Sequence, residues 1–352
     1  MLRQLARLSQ HVPSAGPRAV ALGVYANDED RGLAARDQGF EGVACVDDAA
    51  RAVVLLLDLH KDTGERRLRE WAIGLLEFVL YMQREDGRFH NFIRDWEGTI
   101  NTDGPTSYPG GTFWQARAVR ALAKAHLVVR DPRVALPLAR GFAFATQNPA
   151  PPDVRAIQIL AALDLMRVGL TPVLRETLER WCDEIAACRD GRVLLNSPGE
   201  STPHLWGHVH EGVLAEAAMV LDRPDLLELA GESAKALLVP HIERAFPDRV
   251  VQPYGVAAAV YVMDRLHQAT GEGAYVRWRD LARAWFDGRN TAAQPVYDRV
   301  SGRVSDGIDE GRINPHSGAE SNIVAAQALF PEVSSRVGPM LDEVGDRLEV
   351  VA

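Results

Sequence analysis

The stretch Asp47-Asp-Ala-Ala-Arg-Ala-Val-Val-Leu-Leu-Leu-Asp-Leu59 is apolar on nearly every side, the pattern of a helix buried all round. A short break follows, Asp62-Thr-Gly-Glu65. The next segment, from Arg66 to Met82, places Leu68, Trp71, Ala72, Leu75, Phe78, Val79 and Met82 on one stripe, with Arg67, Glu70 and Glu77 off it. That spacing predicts an amphipathic helix. A fully buried helix is thus joined by a tight turn to a half-buried one.

The same pairing recurs along the chain. Predicted helices over 113–129 and 133–146 flank Asp131-Pro132, and those over 153–168 and 173–187 flank Thr171-Pro172, an N-cap followed by proline at the first helical position. Further pairs are predicted over 204–221 with 226–242, 254–268 with 274–286, and 318–329 with 332–348. The spacing of these six hairpins is uneven, which excludes a fixed-period solenoid. Links inside a hairpin are short, whereas 84–111, 189–202 and 287–317 are long, and long loops in a compact fold are commonly functional. The pattern predicts an all-α (α/α)6 toroid of six helical hairpins, first helices as an inner ring and second helices as an outer ring. The alternative, an open α-solenoid, calls for more uniform loops. In the closed ring the long loops and the N-termini of the first helices share one face, where chemistry is expected. Residues 1–352 read as one toroid domain, with 1–45 as an N-terminal extension packing on it.

The 352 residues are 47% hydrophobic and 25% charged with a net charge of −9, too apolar for disorder and too acidic for a polyanion partner. Basic residues are scattered rather than clustered, so nucleic acid is not expected. Cys45, Cys182 and Cys188 provide neither a disulfide framework nor a zinc set. The longest apolar run, 52–57, is far too short to span a membrane, and the N-terminus lacks a signal-peptide core, so a cytoplasmic address is expected. Phosphate-cradling, dinucleotide, nucleophile-elbow and EF-hand motifs are missing, and no cofactor or metal is expected.

Four short stretches, Val46-Asp-Asp-Ala-Ala-Arg51, Asp86-Gly-Arg-Phe-His-Asn91, Gly110-Gly-Thr-Phe-Trp-Gln-Ala-Arg117 and Asn314-Pro-His-Ser-Gly-Ala-Glu-Ser-Asn322, resemble the six-hairpin glycosidase-like superfamily. The resemblance implies a carbohydrate-directed protein with a cleft at the inner-helix N-termini. It leaves the reaction open, since that superfamily holds inverting glycoside hydrolases and the same toroid also carries sugar 2-epimerases and uronate lyases.

The candidate chemistry falls on the long-loop face. Asp47 and Asp48 open the first inner helix; capping and the helix dipole account for one acidic residue there, and two exceed that need. Arg51, one turn on, is placed to pair with either. The loop 96–111 combines Trp96, Tyr108 and Asp103 with glycines, a mixture suited to sugar faces and hydroxyls, although Asp103-Gly104 also reads as a plain turn. Thr112 to Gln115 reads as a capping box. The fourth inner helix begins with His204, Trp206, His208, His210 and Glu211; His204 and His208 fall four residues apart on one helical face, and a carboxylate at Glu211 is costly to bury without purpose. A metal site there is disfavoured because the spacing is not H-E-x-x-H. Asp306 is the expected partner of Asp48 across the bore, since the first and last hairpins of a closed ring are neighbours. Glu320 reads first as the end of a capping box begun by Ser317, a role compatible with substrate contact. Trp114, Trp206 and Tyr254 lie in the first turns of inner helices and, with Trp96 and Tyr108, form candidate sugar platforms.

The sequence therefore predicts a carbohydrate-active enzyme, foremost a glycoside hydrolase acting on an oligosaccharide. Its acid and base are drawn from Asp48, Asp103, Glu211 and Asp306, and its substrate contacts from Asp47, Arg51, Trp96, Tyr108, Trp114, His204, Trp206, His208, Tyr254 and Glu320. The alternatives are a sugar epimerase or isomerase using His208 or His210, and a non-catalytic sugar-binding toroid.

Overall fold

The computed structural model describes residues 1–27, 32–33, 41–169 and 171–345. Helix α1 (Leu2–Leu8) precedes the pairs α2 (Val46–Thr63) with α3 (Arg66–Tyr81), α4 (Thr112–Val128) with α5 (Pro132–Gln147), and α6 (Pro152–Met166) with α7 (Pro172–Ala187). The pairs α8 (His210–Leu221) with α9 (Pro224–Glu243) and α10 (Pro253–Thr270) with α11 (Gly273–Arg283) follow. Helices α12 (Ala319–Ala328), α13 (Phe330–Ser334) and α14 (Val337–Asp342) come after them. Strands are two or three residues long and line the loops.

Local chemistry sets the turns within hairpins. The Glu65 carboxylate accepts from Arg67 N–H and caps α3. Asp131 and Thr171 cap α5 and α7 in the same way, each followed by a proline that has no N–H to leave unpaired.

The helices gather into two compact units. In the first, residues 1–149, 298–305 and 315–352, helix α2 packs against α3, α4 and α12. Its Val53, Leu55, Leu56, Leu57 and Leu59 are all buried, as the apolar run predicts. Helix α3 is buried beyond its stripe, at Ile73 and Leu76 as well. The reason is the strand Val20–Leu22, which packs on it. A Cβ at Gly74 would lie 2.8 Å from the Arg18 carbonyl oxygen, so only glycine admits that approach. Helix α1 packs on α12 and α14.

In the second unit, residues 150–297 and 306–314, helix α8 packs against α6, α9 and α10. Helices α6 and α8 are buried through most of their length. Helix α7 buries one face, including the expected Leu174, Leu178, Trp181 and Ile185.

Four expectations are corrected. The helix predicted from His204 begins only at His210, because Gly207 sits in the left-handed region at φ +69 and breaks any helix through it. The helix predicted over 332–348 is two short helices, with Arg336 between them out of the helical region; Pro339 cannot donate the fourth-neighbour hydrogen bond a continuous helix needs, and it falls instead in the first turn of α14. Residues 346–348 of that prediction lie outside the described residues. Neither capping box forms. Gly111 is the N-cap of α4, and Gln115 instead accepts from Phe89 N–H at 2.9 Å and donates to the Gly87 carbonyl at 3.0 Å. Gly318 is the N-cap of α12, and the Ser317 hydroxyl accepts from the Asn322 amide at 3.0 Å. Among the described residues no helix is long and apolar enough to cross a membrane.

Candidate functional site

The start of α2 owes its chemistry to a neighbour. The strand Ala44–Cys45 pairs with Phe92–Ile93, which brings Asn91 over the helix N-terminus. The Asn91 carbonyl accepts from Val46 N–H at 2.8 Å and its side-chain oxygen accepts from Asp47 N–H at 3.2 Å. The Cys45 sulfur accepts a long hydrogen bond from Asp48 N–H at 3.4 Å. The first-turn N–H groups are thus met from outside the acidic pair, and neither aspartate side chain is needed as the cap.

Both carboxyls turn to arginines instead. Arg117 Nη1, from α4, lies 2.6 Å from Asp47 Oδ1. Arg51 Nη2 lies 3.1 Å from Asp47 Oδ2 and 2.8 Å from Glu320 Oε1, while its Nη1 lies 2.9 Å from Asp48 Oδ1. The Arg117 guanidinium also sits over the Phe113 ring, 4.9 Å from its centroid. Arg51 and Arg117 are buried; Asp48 is 3% exposed, whereas the Glu320 side chain is 39% exposed. Burial alone would raise the Asp47 carboxyl, but Arg117 and Arg51 outweigh it and hold it below its usual range. Asp48 goes the other way. Burial pushes it up to about 7; Arg51 opposes that, and the charges of Glu320 and Asp47 add to it. The first cluster therefore holds one firmly ionised carboxylate and one carboxyl that keeps its proton near neutrality.

Beside it, the Asn91 amide donates to the Thr106 carbonyl at 3.0 Å, and Ser107 Oγ accepts from Phe92 N–H at 2.8 Å, so the loop over 101–108 is sewn to the same strand. Tyr108, 45% exposed, meets Trp114 edge-on at 5.1 Å, and the Trp114 indole N–H donates to the Phe89 carbonyl at 3.0 Å.

The second cluster stands where α8 begins. His208 Nδ1 is 3.2 Å from Asn196 Oδ1, and its Nε2 is 3.0 Å from Glu211 Oε1. The Ser233 hydroxyl, from α9, donates to Glu211 Oε1 at 2.6 Å. The His210 ring lies 4.3 Å from that of His208. All five side chains are buried. Both His210 nitrogens, Glu211 Oε2 and Asn196 Nδ2 have no hydrogen-bond partner, a concentration of unmet polar atoms that native cores avoid. Burial, then the charges of His208 and His204, hold the His210 imidazole well below its usual value. Burial would raise Glu211, but the His208 charge and the hydrogen bonds from His208 and Ser233 hold it down. Nearby, Trp206 stands edge-on to Tyr254 at 5.4 Å and its ring centroid is 5.6 Å from that of His204.

No family model and no curated protein sequence matches the chain. Solved structures do. Cellobiose 2-epimerase from Bacillus thermoamylovorans is similar at a TM-score of 0.74 and 10% identity, over 95% of this chain and 96% of that one. A D-mannose isomerase is similar at 0.69 and 10% identity, over 95% of each chain. Endoglucanase CelQ from Clostridium thermocellum, complexed with cellotriose, is similar at 0.59 and 10% identity, over 94% of this chain and 69% of that one. The chain has the six-hairpin (α/α)6 fold.

In this six-hairpin chain the expected residues separate into groups. The first unit brings Asp47, Asp48, Arg51 and Glu320 together and sets Tyr108 against Trp114. Asp103 pairs with Arg94 at 2.7 Å, both exposed, and takes no part in the arginine-linked set. Trp96 is half-buried beside Gly23. The second unit brings His208 to Glu211 and His204 and Trp206 toward Tyr254. His204 and His208 do not share a helical face, since both precede α8. Asp306 is half-buried in the second unit. Among the described residues no group of three or more His, Cys, Asp or Glu is placed to hold a metal.

Four participants escaped the sequence reading. Arg117 and Asn91 close two of the quoted motifs, which was the available signal. Ser233 is a hydroxyl among Leu226, Ala230, Ala234 and Leu237 on the buried side of α9. Asn196 sits in a loop with no periodicity to mark it.

Proposed function

We propose that this chain is a carbohydrate-active enzyme, a glycoside hydrolase acting on an oligosaccharide, with Asp48 as general acid and Glu320 as the carboxylate that activates water. The observation that carries the reading is the asymmetric pair on one guanidinium, a buried Asp48 and a more open Glu320 both held by Arg51. Pairs of carboxyls in unlike environments divide into acid and base. Asp48, pushed up to about 7, retains a proton to give. That proton passes to the glycosidic oxygen as its bond to the anomeric carbon breaks, water adds to that carbon, and the water's proton goes to Glu320. Arg51 keeps the two groups in register, and Tyr108 with Trp114 offers an aromatic surface for a sugar ring.

The test is a panel of neutral oligosaccharides assayed for new reducing ends. Asp48→Asn and Glu320→Gln should each lower kcat by about 100-fold or more. Full activity in both variants sinks the assignment, and binding without turnover in the native protein supports a non-catalytic toroid instead.

A second reading is favoured by His210. An imidazole with both nitrogens unengaged has a lone pair available to take a proton from the carbon next to a sugar carbonyl, leaving an enediolate, and to return it. That is epimerisation or isomerisation, and solved structures of both reaction classes share the fold. Deuterium uptake from solvent into a free sugar supports this reading, and release of reducing ends without uptake opposes it.

A further inference from the structure

His208 is held by two acceptors. Its Nδ1 faces Asn196 Oδ1 and its Nε2 faces Glu211 Oε1, an arrangement filled by a ring with N–H on both nitrogens. Glu211 Oε1 is in turn fixed by Ser233. That hydroxyl accepts from Leu194 N–H at 3.0 Å, which leaves its single hydrogen for Glu211. Each of these side chains is at most 1% exposed. The His210 ring lies 4.3 Å away with neither nitrogen engaged.

We propose that Ser233 is a positioning residue for this histidine pair: its hydroxyl fixes Glu211, Glu211 fixes His208 as the charged member, and His210 is left as the member that exchanges a proton with a bound sugar. The last part rests on the epimerase or isomerase reading; the part from Ser233 to His208 does not. The relay ties an outer position, on the second helix of its hairpin, to the ring orientation of a residue that precedes the first helix.

Long-range 1H–15N spectra of the full chain labelled at histidine test it without reference to turnover. The native protein should show His208 protonated at both nitrogens and His210 at one. Ser233→Ala should turn His208 into a neutral single tautomer, and Ser233→Thr, which retains the hydroxyl, should restore the native pattern. Glu211→Gln, which keeps the shape and removes the charge, should give the same neutral His208 and serves where Ser233→Ala does not fold. A neutral His208 in the native protein, as arises if the Asn196 amide is turned to donate to Nδ1, overturns the proposal. A His208 still protonated at both nitrogens in Ser233→Ala also overturns it. If the spectra behave as stated but His210→Gln leaves a measured epimerisation unchanged, the proton-exchange reading fails and the positioning of His208 stands.

Discussion

Arg117 reaches across from α4 to Asp47 on α2, Nη1 to Oδ1 at 2.6 Å, so that the carboxylate opening one hairpin is neutralised by the cation opening the next. Arg117 is buried and Asp47 is nearly so. Within the first unit this contact fixes the facing of two first helices, and it frees Arg51 to serve Asp48 and Glu320 as well.

Removing one partner of that pair leaves a poorly solvated charge. Arg117→Met is expected to cost about 3 kcal/mol of stability or more, whereas the double variant Asp47→Asn with Arg117→Met should recover a large part of it. Denaturant unfolding of the two single variants and the double variant measures the coupling. A double variant no better than the sum of the singles contradicts the claim.

Asp48 makes stability depend on pH in an unusual direction. Its folded value of about 7 lies above the ordinary aspartate value of about 4. The folded state therefore binds more protons between those limits, and the contribution is present at low pH and lost as pH rises toward 7. Relative to Asp48→Asn, the native protein should lose up to about 1.4 kcal/mol per pH unit across that window. Paired unfolding curves from pH 4 to pH 8 measure the difference, and parallel curves exclude the raised carboxyl.

Asn91 satisfies two N–H groups at the start of α2, one through its backbone and one through its side chain, and its amide also holds the 101–108 loop at Thr106. Asn91→Ala removes both side-chain bonds. The expected cost is about 1–2 kcal/mol, in the range of a lost helix cap. Because the loop carries Tyr108, KM should rise more than kcat falls. Steady-state kinetics on whichever oligosaccharide proves active decides between this and a loss confined to stability.

Tyr108 is exposed and packs edge-on against Trp114. Tyr108→Ala should change stability by no more than about 1 kcal/mol, as surface substitutions do, and weaken oligosaccharide binding several-fold. Titration calorimetry beside thermal unfolding separates the two effects; unchanged binding removes Tyr108 from the site.

Gly207, left-handed at φ +69, brings its backbone against the Tyr254 ring, where a Cβ would lie 3.3 Å away. Gly207→Ala is expected to cost about 1–2 kcal/mol from the backbone conformation alone. It should also move His208, the next residue, off Glu211. Unfolding together with the His208 nitrogen signals checks both consequences.

How far the chain could be read is plain at particular residues. The stripe Leu174, Leu178, Trp181 and Ile185 and the cap at Thr171 were legible because periodicity and capping act within one or two turns. The start of α8 was not, since a helical pattern of side chains from His204 onward says nothing of the φ that Gly207 adopts. The capping boxes at Thr112 and Ser317 matched in sequence and failed in space, because Gln115 is engaged by Phe89 and Gly87, the Ser317 hydroxyl accepts from Asn322, and Glu320 is held by Arg51.

The sequence by itself determined that this is a chain of helical hairpins with buried first helices. Hydrophobic period and turn chemistry are local, so they survive without knowledge of the fold. Only the tertiary structure decided which charges meet: Asp47 with Arg117, Asp48 with Glu320 through Arg51, and His208 with Glu211, Asn196 and Ser233. Those pairings depend on which helix faces touch and how much water remains between them. The proton affinities of Asp48 and His210, and with them the chemistry proposed for the site, follow from that burial rather than from the residue type.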